Sequence, residues 1–441
     1  MSAPTDRPWA GRRLHFVGIG GAGMSGLALV ARALGAEVTG SDRAESSYTE
    51  RLRAAGIAPL VGHDAANVPA GAEVVYSTAI GPENPERAAA QGREIHRGEL
   101  LGEVTALRPT IAVAGTHGKT TTASMIVHVL RECGLDPGYL VGGEVRSTGA
   151  NAGWGAGEWL VVEADESDRS MLRLHPEVAV VTNVEVDHHA TYASLAEVRE
   201  AFRAFLAQSA RQVVWDRPAV RALAPDPVAF DVPEPRLGPD GVAFAWRGHE
   251  VHLAVPGAHN ALNAAAALEA ARLAGADPAG AARALAGFRG AGRRFERLGA
   301  TAAGAVVYDD YAHHPTEVRA TLEAARTLDP RRLVAAFQPH LYSRTRELAA
   351  GFGAALALAD VIVVTEIYPA RERAEDFPGV SGLDVARAAA DAAHGRPVHW
   401  APSFDDAERV LRGLLAEGDL CLVVGAGPID ALGRRLVAGG G

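Results

Sequence analysis

The sequence predicts an α/β protein built from three consecutive domains, over residues 1–108, 109–292 and 293–441. Three observations carry that expectation. Short apolar runs alternate with helix-like stretches in three separate series, the pattern of parallel sheets with crossover helices. Glycine-rich turns follow the leading strand-like run of the first two series. The pattern breaks at Arg108-Pro109 and again at Gly290-Ala291-Gly292, where stiff or permissive backbone marks a boundary or hinge.

Composition narrows the class. Hydrophobic residues make up 48% of the chain, enough for several cores, and a net charge of −10 gives no basic footprint for nucleic acid. The two cysteines, Cys133 and Cys421, lie far apart in apolar segments, as free thiols of a reducing compartment do. The opening residues lack the charged-then-apolar order of a secretion signal. No stretch reaches the ~18 apolar residues of a membrane span. The expectation is a cytoplasmic protein without membrane insertion.

In the first series the strand-like runs are residues 14–18, 36–39 and 73–76. The first leads into Gly18-Ile19-Gly20-Gly21-Ala22-Gly23-Met24-Ser25, a G-x-G-x-x-G pattern opening a helix, and Asp42 ends the second where a ribose-binding acid would stand. Alone, this fingerprint admits a dinucleotide, a sugar nucleotide or mere close packing of helix on strand. Thr78 and Ala79, in the turn after the third run, fit the rim of the same pocket or a plain turn.

The second series opens with the apolar run 111–114 and the turn Gly115-Thr116-His117-Gly118-Lys119-Thr120-Thr121. Lysine and arginine together number 43, and Lys119 is the only lysine among them. An ammonium is a compact point charge that can lie along a triphosphate in a tight backbone cradle, whereas a guanidinium is a wide fork. Gly118-Lys119-Thr120 therefore reads as the core of a P-loop. Backbone N–H groups would face phosphate, Lys119 the outer phosphates, and the Thr120 hydroxyl Mg²⁺. The first P-loop glycine would fall at Val113, and the chain offers Gly115 instead. A helix should follow from Thr121 to about Glu132, with Gly134 at its end.

The run 159–163 is a buried strand by its composition and discharges into Glu163-Ala164-Asp165-Glu166-Ser167-Asp168. An acid ending a strand beside a P-loop strand is placed for nucleotide-bound Mg²⁺, which makes Glu163 a candidate ligand. Another buried strand ends at Asn183 and leads to His188 and His189, which suit metal binding, phosphate orientation or an ordinary polar turn. Residues 212–256 change to short strands, prolines and turn residues, suggesting a small β insertion. A helix through Leu273 then carries Asn260 and Asn263 on one face. They fit reading a base edge, or Asn260 capping the helix. Beyond Arg293 and Arg294, a third series of strands ends in two polar clusters, residues 309–315 and 338–346, expected to face one crevice.

The segments His15–Met24 (residues 15–24), the Gly115–Thr122 loop (115–122), the acidic run 163–168, and residues 183–188, 257–263, 292–295 and 309–315 together resemble the Mur ligases. The resemblance runs in order along nearly the whole chain. It implies a Rossmann-like N-terminal domain for a UDP-sugar, a central ATPase-type domain and a Rossmann-like C-terminal domain contacting ATP and an amino acid. It implies that ATP phosphorylates the lactyl carboxylate of UDP-N-acetylmuramate and that the amine of L-alanine displaces phosphate. Gly115, Thr116, His117, Gly118, Lys119, Thr120 and Thr121 would then hold ATP with Asn260, Asn263, Arg294 and Asp310. Thr120, Glu163 and His188 would bind Mg²⁺, and His313 and Arg344 the alanine. Lys119, His188, His313 and Arg344 form the expected catalytic set. Gly18, Gly20, Gly21, Ala22, Gly23, Met24, Ser25, Asp42, Thr78 and Ala79 would hold the sugar nucleotide, which removes any need for NAD.

Related ligases that add later residues carry a carbamoylated lysine, and with Lys119 committed none remains here, so the resemblance points to the alanine-adding branch. Leu341 and Ala190 stand where some relatives have arginine and aspartate. A ligase attaching a recycled peptide is the rival within the class. A nicotinamide dehydrogenase would explain the first glycine loop but leave Lys119, Glu163 and the third domain without roles.

Overall fold

The computed structural model describes residues 7–187 and 191–438. Their contacts divide the chain into two compact units, one running up to Asp231 with Leu262–Leu285, the other Val232–Ala261 with the chain from Ala286 onward.

The first unit holds two sheets. In the five-stranded sheet Arg13–Val17 lies centrally, flanked by Glu37–Asp42 and Glu73–Tyr76, with Leu60–Val61 and Glu94–His96 at the edges, all parallel. The seven-stranded sheet runs Val228–Phe230, Arg211–Trp215, Val178–Val181, Thr110–Ala114, Leu160–Glu163, Gly138–Val145, Ala150–Gly153, with only the last pair antiparallel. Thr110–Ala114 and Val178–Val181 are buried along their whole length, as expected of central strands covered on both faces. One apolar cluster, including Phe16, Leu27, Val162, Phe202 and Phe205, packs both sheets.

The stretch expected as a β insertion is split. Arg211–Trp215 and Val228–Phe230 extend the parallel sheet, and only residues 236–253 form a separate three-stranded antiparallel sheet. The prolines that suggested an insertion sit between strands, where a missing N–H costs the ladder nothing.

The second unit contains that small sheet and a six-stranded one: Glu296–Ala300, Val306–Asp310, Asp419–Val424, Arg332–Phe337, Val361–Val364, Val398–Trp400. Only Glu296–Ala300 is antiparallel to its neighbour. Asp310 and Phe337 end their strands at the same edge, so the loops after them, with their polar residues, emerge together.

Candidate active site

The lysine loop is shaped by left-handed glycines and by the strand beside it. Gly115 has φ +137° and Gly118 φ +82°. A Cβ on Gly115 would collide with the Thr182 hydroxyl, and one on Gly118 with the Asn263 amide oxygen. The end of Val178–Val181 pins the turn between them. Asn183 Oδ1 accepts from the His117 N–H at 2.9 Å, the Asn183 amide donates to His117 O at 2.9 Å, and Thr182 Oγ1 donates to the same oxygen at 2.5 Å. The helix starts at Lys119, two residues earlier than expected, with Gly118 as an N-cap that has no side-chain cap, and runs to Glu132. Gly134 follows at φ +78° as its terminator.

Lys119 Nζ donates to Gly115 O at 2.7 Å, Thr116 O at 3.3 Å and Glu166 Oε1 at 2.9 Å. Burial alone would depress its ammonium, yet the charges of Glu166 and Asp165 outweigh that and hold the pKa above the ordinary lysine value. Lys119 is a half-buried cation at a helix N-terminus. Thr120 and Thr121 are buried in the first turn of that helix. Glu163 pairs in register with Val113 on the loop's own strand, and its carboxylate accepts from Gly142 N–H at 2.6 Å. The Thr120 hydroxyl and the Glu163 carboxylate are hard oxygen donors of the kind Mg²⁺ takes. His188, the third expected metal ligand, lies outside the described residues, as does Ala190.

In the five-stranded sheet, Gly18 has φ +76°, Gly21 caps helix Ala22–Ala33, and no side chain caps that N-terminus. Asp42 Oδ2 accepts from the Gly20 N–H at 2.8 Å, so the acid ending the second strand sits on the glycine loop. The turn holding Thr78 and Ala79 reaches the loop through Ile80, whose Cδ1 would lie 3.4 Å from a Cβ on Gly18. Gly20 and Gly23 stand with them in the turn and first helical residues. Met24 packs in the core, and Ser25 Oγ donates to Ala22 O at 3.0 Å while receiving Asn151 Nδ2 at 3.3 Å. The Ser25 N–H also donates to Gly21 O, at 2.8 Å.

The second unit gathers the other candidates except Asn263, which belongs to the first. Asp310 accepts from Phe295 N–H and Ala312 N–H, both at 2.8 Å, and Arg294 lies 4.8 Å from the Tyr311 ring centre. Burial raises the Asp310 carboxyl, with Arg294 opposing. Arg293 and Phe295 adopt φ +57° and +50°, and Arg293 is fixed by Asp309 at 3.0 Å and by Gly425 O at 2.9 Å. His313 Nδ1 is 3.0 Å from Tyr311 O and 3.4 Å from Glu317. Its ring meets His340 edge-on at 5.8 Å, and His340 Nδ1 is 3.1 Å from Arg344 Nη1. His313 and Arg344 thus converge through His340, as the shared crevice required. Asn260 donates to Pro256 O at 2.7 Å at the start of helix Ala258–Leu273, while Asn263 sits against the lysine loop.

Four residues outside the expected set stand in these sites. Glu166 lies within the acidic run that had been singled out, and His340 within a polar cluster. Arg97 and Tyr192 carried no signal, because their roles arise only from contacts distant in sequence: the Tyr192 hydroxyl donates to Glu166 O at 2.8 Å.

A glycine-looped parallel sheet, a lysine loop on a second parallel sheet and a third α/β sheet with a polar crevice define a nucleotide-using enzyme of the α/β class. Residues 13–108 match the Mur ligase family catalytic domain, 113–226 the Mur ligase middle domain, and 293–427 the Mur ligase glutamate ligase domain. The chain belongs to the Mur ligase family. It is 46% identical to UDP-N-acetylmuramate–L-alanine ligase of Rubrobacter xylanophilus, covering 97% of this chain and 99% of that one. It is likewise 46% identical to the enzyme of the same name from Gloeobacter violaceus, over 98% and 97%. The crystal structure of UDP-N-acetylmuramate-alanine ligase from Thermotoga maritima superposes with a TM-score of 0.83 at 30% identity, covering 96% of this chain and 98% of that one.

Proposed function

We propose that this protein is an ATP-dependent ligase that joins L-alanine to the lactyl carboxylate of UDP-N-acetylmuramate, releasing ADP and phosphate, in the synthesis of peptidoglycan precursors. The observation that carries the reading is the 46% identity over nearly full length to enzymes of that name, together with a half-buried lysine in a glycine loop.

The chemistry answers a leaving-group problem. An amine cannot expel an oxide dianion from a carboxylate. Transfer of the γ-phosphoryl group to a carboxylate oxygen makes an acyl phosphate. Attack by the amine at the carbonyl carbon then forms the amide C–N bond, breaks the C–O bond and releases phosphate carrying that oxygen, while the amine loses its proton. Positioning and charge neutralisation supply most of phosphoryl-transfer catalysis. Lys119 would leave Glu166 for the outer phosphates, with the amides of residues 115–121 cradling them. Asn260, Asn263, Arg294 and Asp310 would hold the remainder of ATP. Thr120 and Glu163, with His188, would hold Mg²⁺, which when bound neutralises phosphate charge. The glycine loop of residues 18–25, with Asp42, Thr78 and Ala79, would seat the sugar nucleotide, and His313 and Arg344 would take alanine, Arg344 facing its carboxylate. The three functional segments would be residues 1–108, 109–292 and 293–441. Among the described residues no helix is long and apolar enough to cross a membrane. A cytoplasmic location follows from where ATP is supplied.

Incubation with ATP, Mg²⁺ and UDP-N-acetylmuramate, with and without L-alanine, tests the reading. ADP release that requires both sugar nucleotide and alanine is the expected result; release independent of alanine would overturn it.

A further inference from the structure

Arg97 opens helix Arg97–Thr105 at the end of edge strand Glu94–His96, in the five-stranded sheet. Its guanidinium reaches in two directions. Nη1 stands 3.5 Å from where a Cβ on Gly23 would be, in the first turn of the uncapped helix behind the glycine loop. Nη2 donates to Asp165 at 2.5 Å and to Asp168 at 3.1 Å, on the acidic run after the seven-stranded sheet's Leu160–Glu163. Among the described residues neither Nη1 nor Nε makes a hydrogen bond, although the side chain is only 22% exposed. A half-buried guanidinium with open donors beside an uncapped helix N-terminus suits an anionic group.

Asp165 pairs directly with Arg97. Its neighbour Glu166 is the direct partner of Lys119 at 2.9 Å. The first loop's cation and the second loop's cation therefore face carboxylates of one short segment, Asp165 and Asp168 for Arg97 and Glu166 for Lys119.

We propose that Arg97 and Asp165 form a charge bridge between the two phosphate loops: Arg97 offers the glycine loop a cation for the sugar nucleotide's pyrophosphate, and by neutralising Asp165 it leaves Lys119 free for the triphosphate of ATP. This rests on the ligase reading above. Loss of Arg97 would act at both loops. The glycine loop would lose a donor, and Asp165 and Asp168, left uncompensated, would repel phosphate and tighten their hold on Lys119. Arg97 is a positioning residue toward ATP, since it reaches that loop only through Asp165.

Titration calorimetry on wild type, R97Q, D165N and the double variant tests the bridge, with UDP-N-acetylmuramate and the Mg²⁺ complex of β,γ-methylene-ATP as probes. R97Q should bind the sugar nucleotide about tenfold more weakly and the ATP analogue several-fold more weakly. Adding D165N to R97Q should return the ATP analogue to within about twofold of wild type without restoring the sugar nucleotide, a non-additivity expected of coupled charges. ATP-analogue binding unchanged in R97Q, or equally weak in the double variant, would overturn the bridge. Should R97Q fail to fold, R97K keeps the charge without the fork: it should spare the ATP analogue and weaken the sugar nucleotide, and the reverse pattern would overturn the proposal. Wild-type protein that binds the ATP analogue but not UDP-N-acetylmuramate would instead contradict the substrate assignment, and the ATP-analogue arm would still judge the bridge.

Discussion

Lys119 has two sets of acceptors to choose between. It is held by two loop carbonyls and Glu166, and in the proposed function a triphosphate would compete with that carboxylate. Glu166 keeps the ammonium charged and in the loop, and Tyr192 fixes the Glu166 backbone from below. Asp309 shows the opposite balance in the other unit. Burial, despite the opposing Arg293 pair, pushes its carboxyl up from 3.8 to about 6. Between about 4 and about 6 the folded protein holds a proton there that the unfolded chain has lost, so this group's contribution to stability is present at low pH and falls as pH rises through that window. Urea unfolding of wild type and D309N from pH 4 to pH 7 should show wild type losing ground to the variant, by up to about 3 kcal/mol. Parallel curves would place the Asp309 titration elsewhere.

The lysine loop works as an element because two glycines take conformations closed to other residues and press against side chains of other segments. Gly118→Ala would strain a backbone at φ +82° and drive a methyl into Asn263, costing roughly 1–3 kcal/mol. The expected result is at least a tenfold loss of Mg²⁺–ATP-analogue binding by calorimetry. Gly149→Ala, also left-handed but with nothing within 4 Å, shares the backbone strain and should bind the analogue as wild type does. Equal behaviour of the two variants would show that the loop does not depend on the Asn263 contact. Loops of this kind are legible in sequence, since glycine spacing and the following helix are local signals. Buried strands are legible too: Thr110–Ala114 and Val361–Val364 stand out as continuous apolar runs. Short, half-exposed strands such as Ala150–Gly153 and Val398–Trp400 carry no such signature and went unmarked. Arg211–Trp215 extends the parallel sheet although the turn residues after it resemble those of an insertion. The Arg97–Asp165 contact joins residues 68 apart, and one arginine among many gives no hint of it.

At the scale of the molecule, each of the three parallel-rich sheets has candidate loops at the carboxyl ends of its parallel strands, where open α/β sheets bind ligands. Glycine loop, lysine loop and histidine–arginine cluster are thus three versions of one architectural device, to which the proposed function assigns sugar nucleotide, ATP and amino acid. The central claim is that ATP is spent on activating a carboxylate oxygen, so that this oxygen leaves with phosphate. UDP-N-acetylmuramate labelled with ¹⁸O in both lactyl carboxylate oxygens, turned over with ATP and L-alanine, measures this by mass spectrometry of the products. The account predicts one ¹⁸O in each phosphate released and one retained in the new amide; unlabelled phosphate would contradict it.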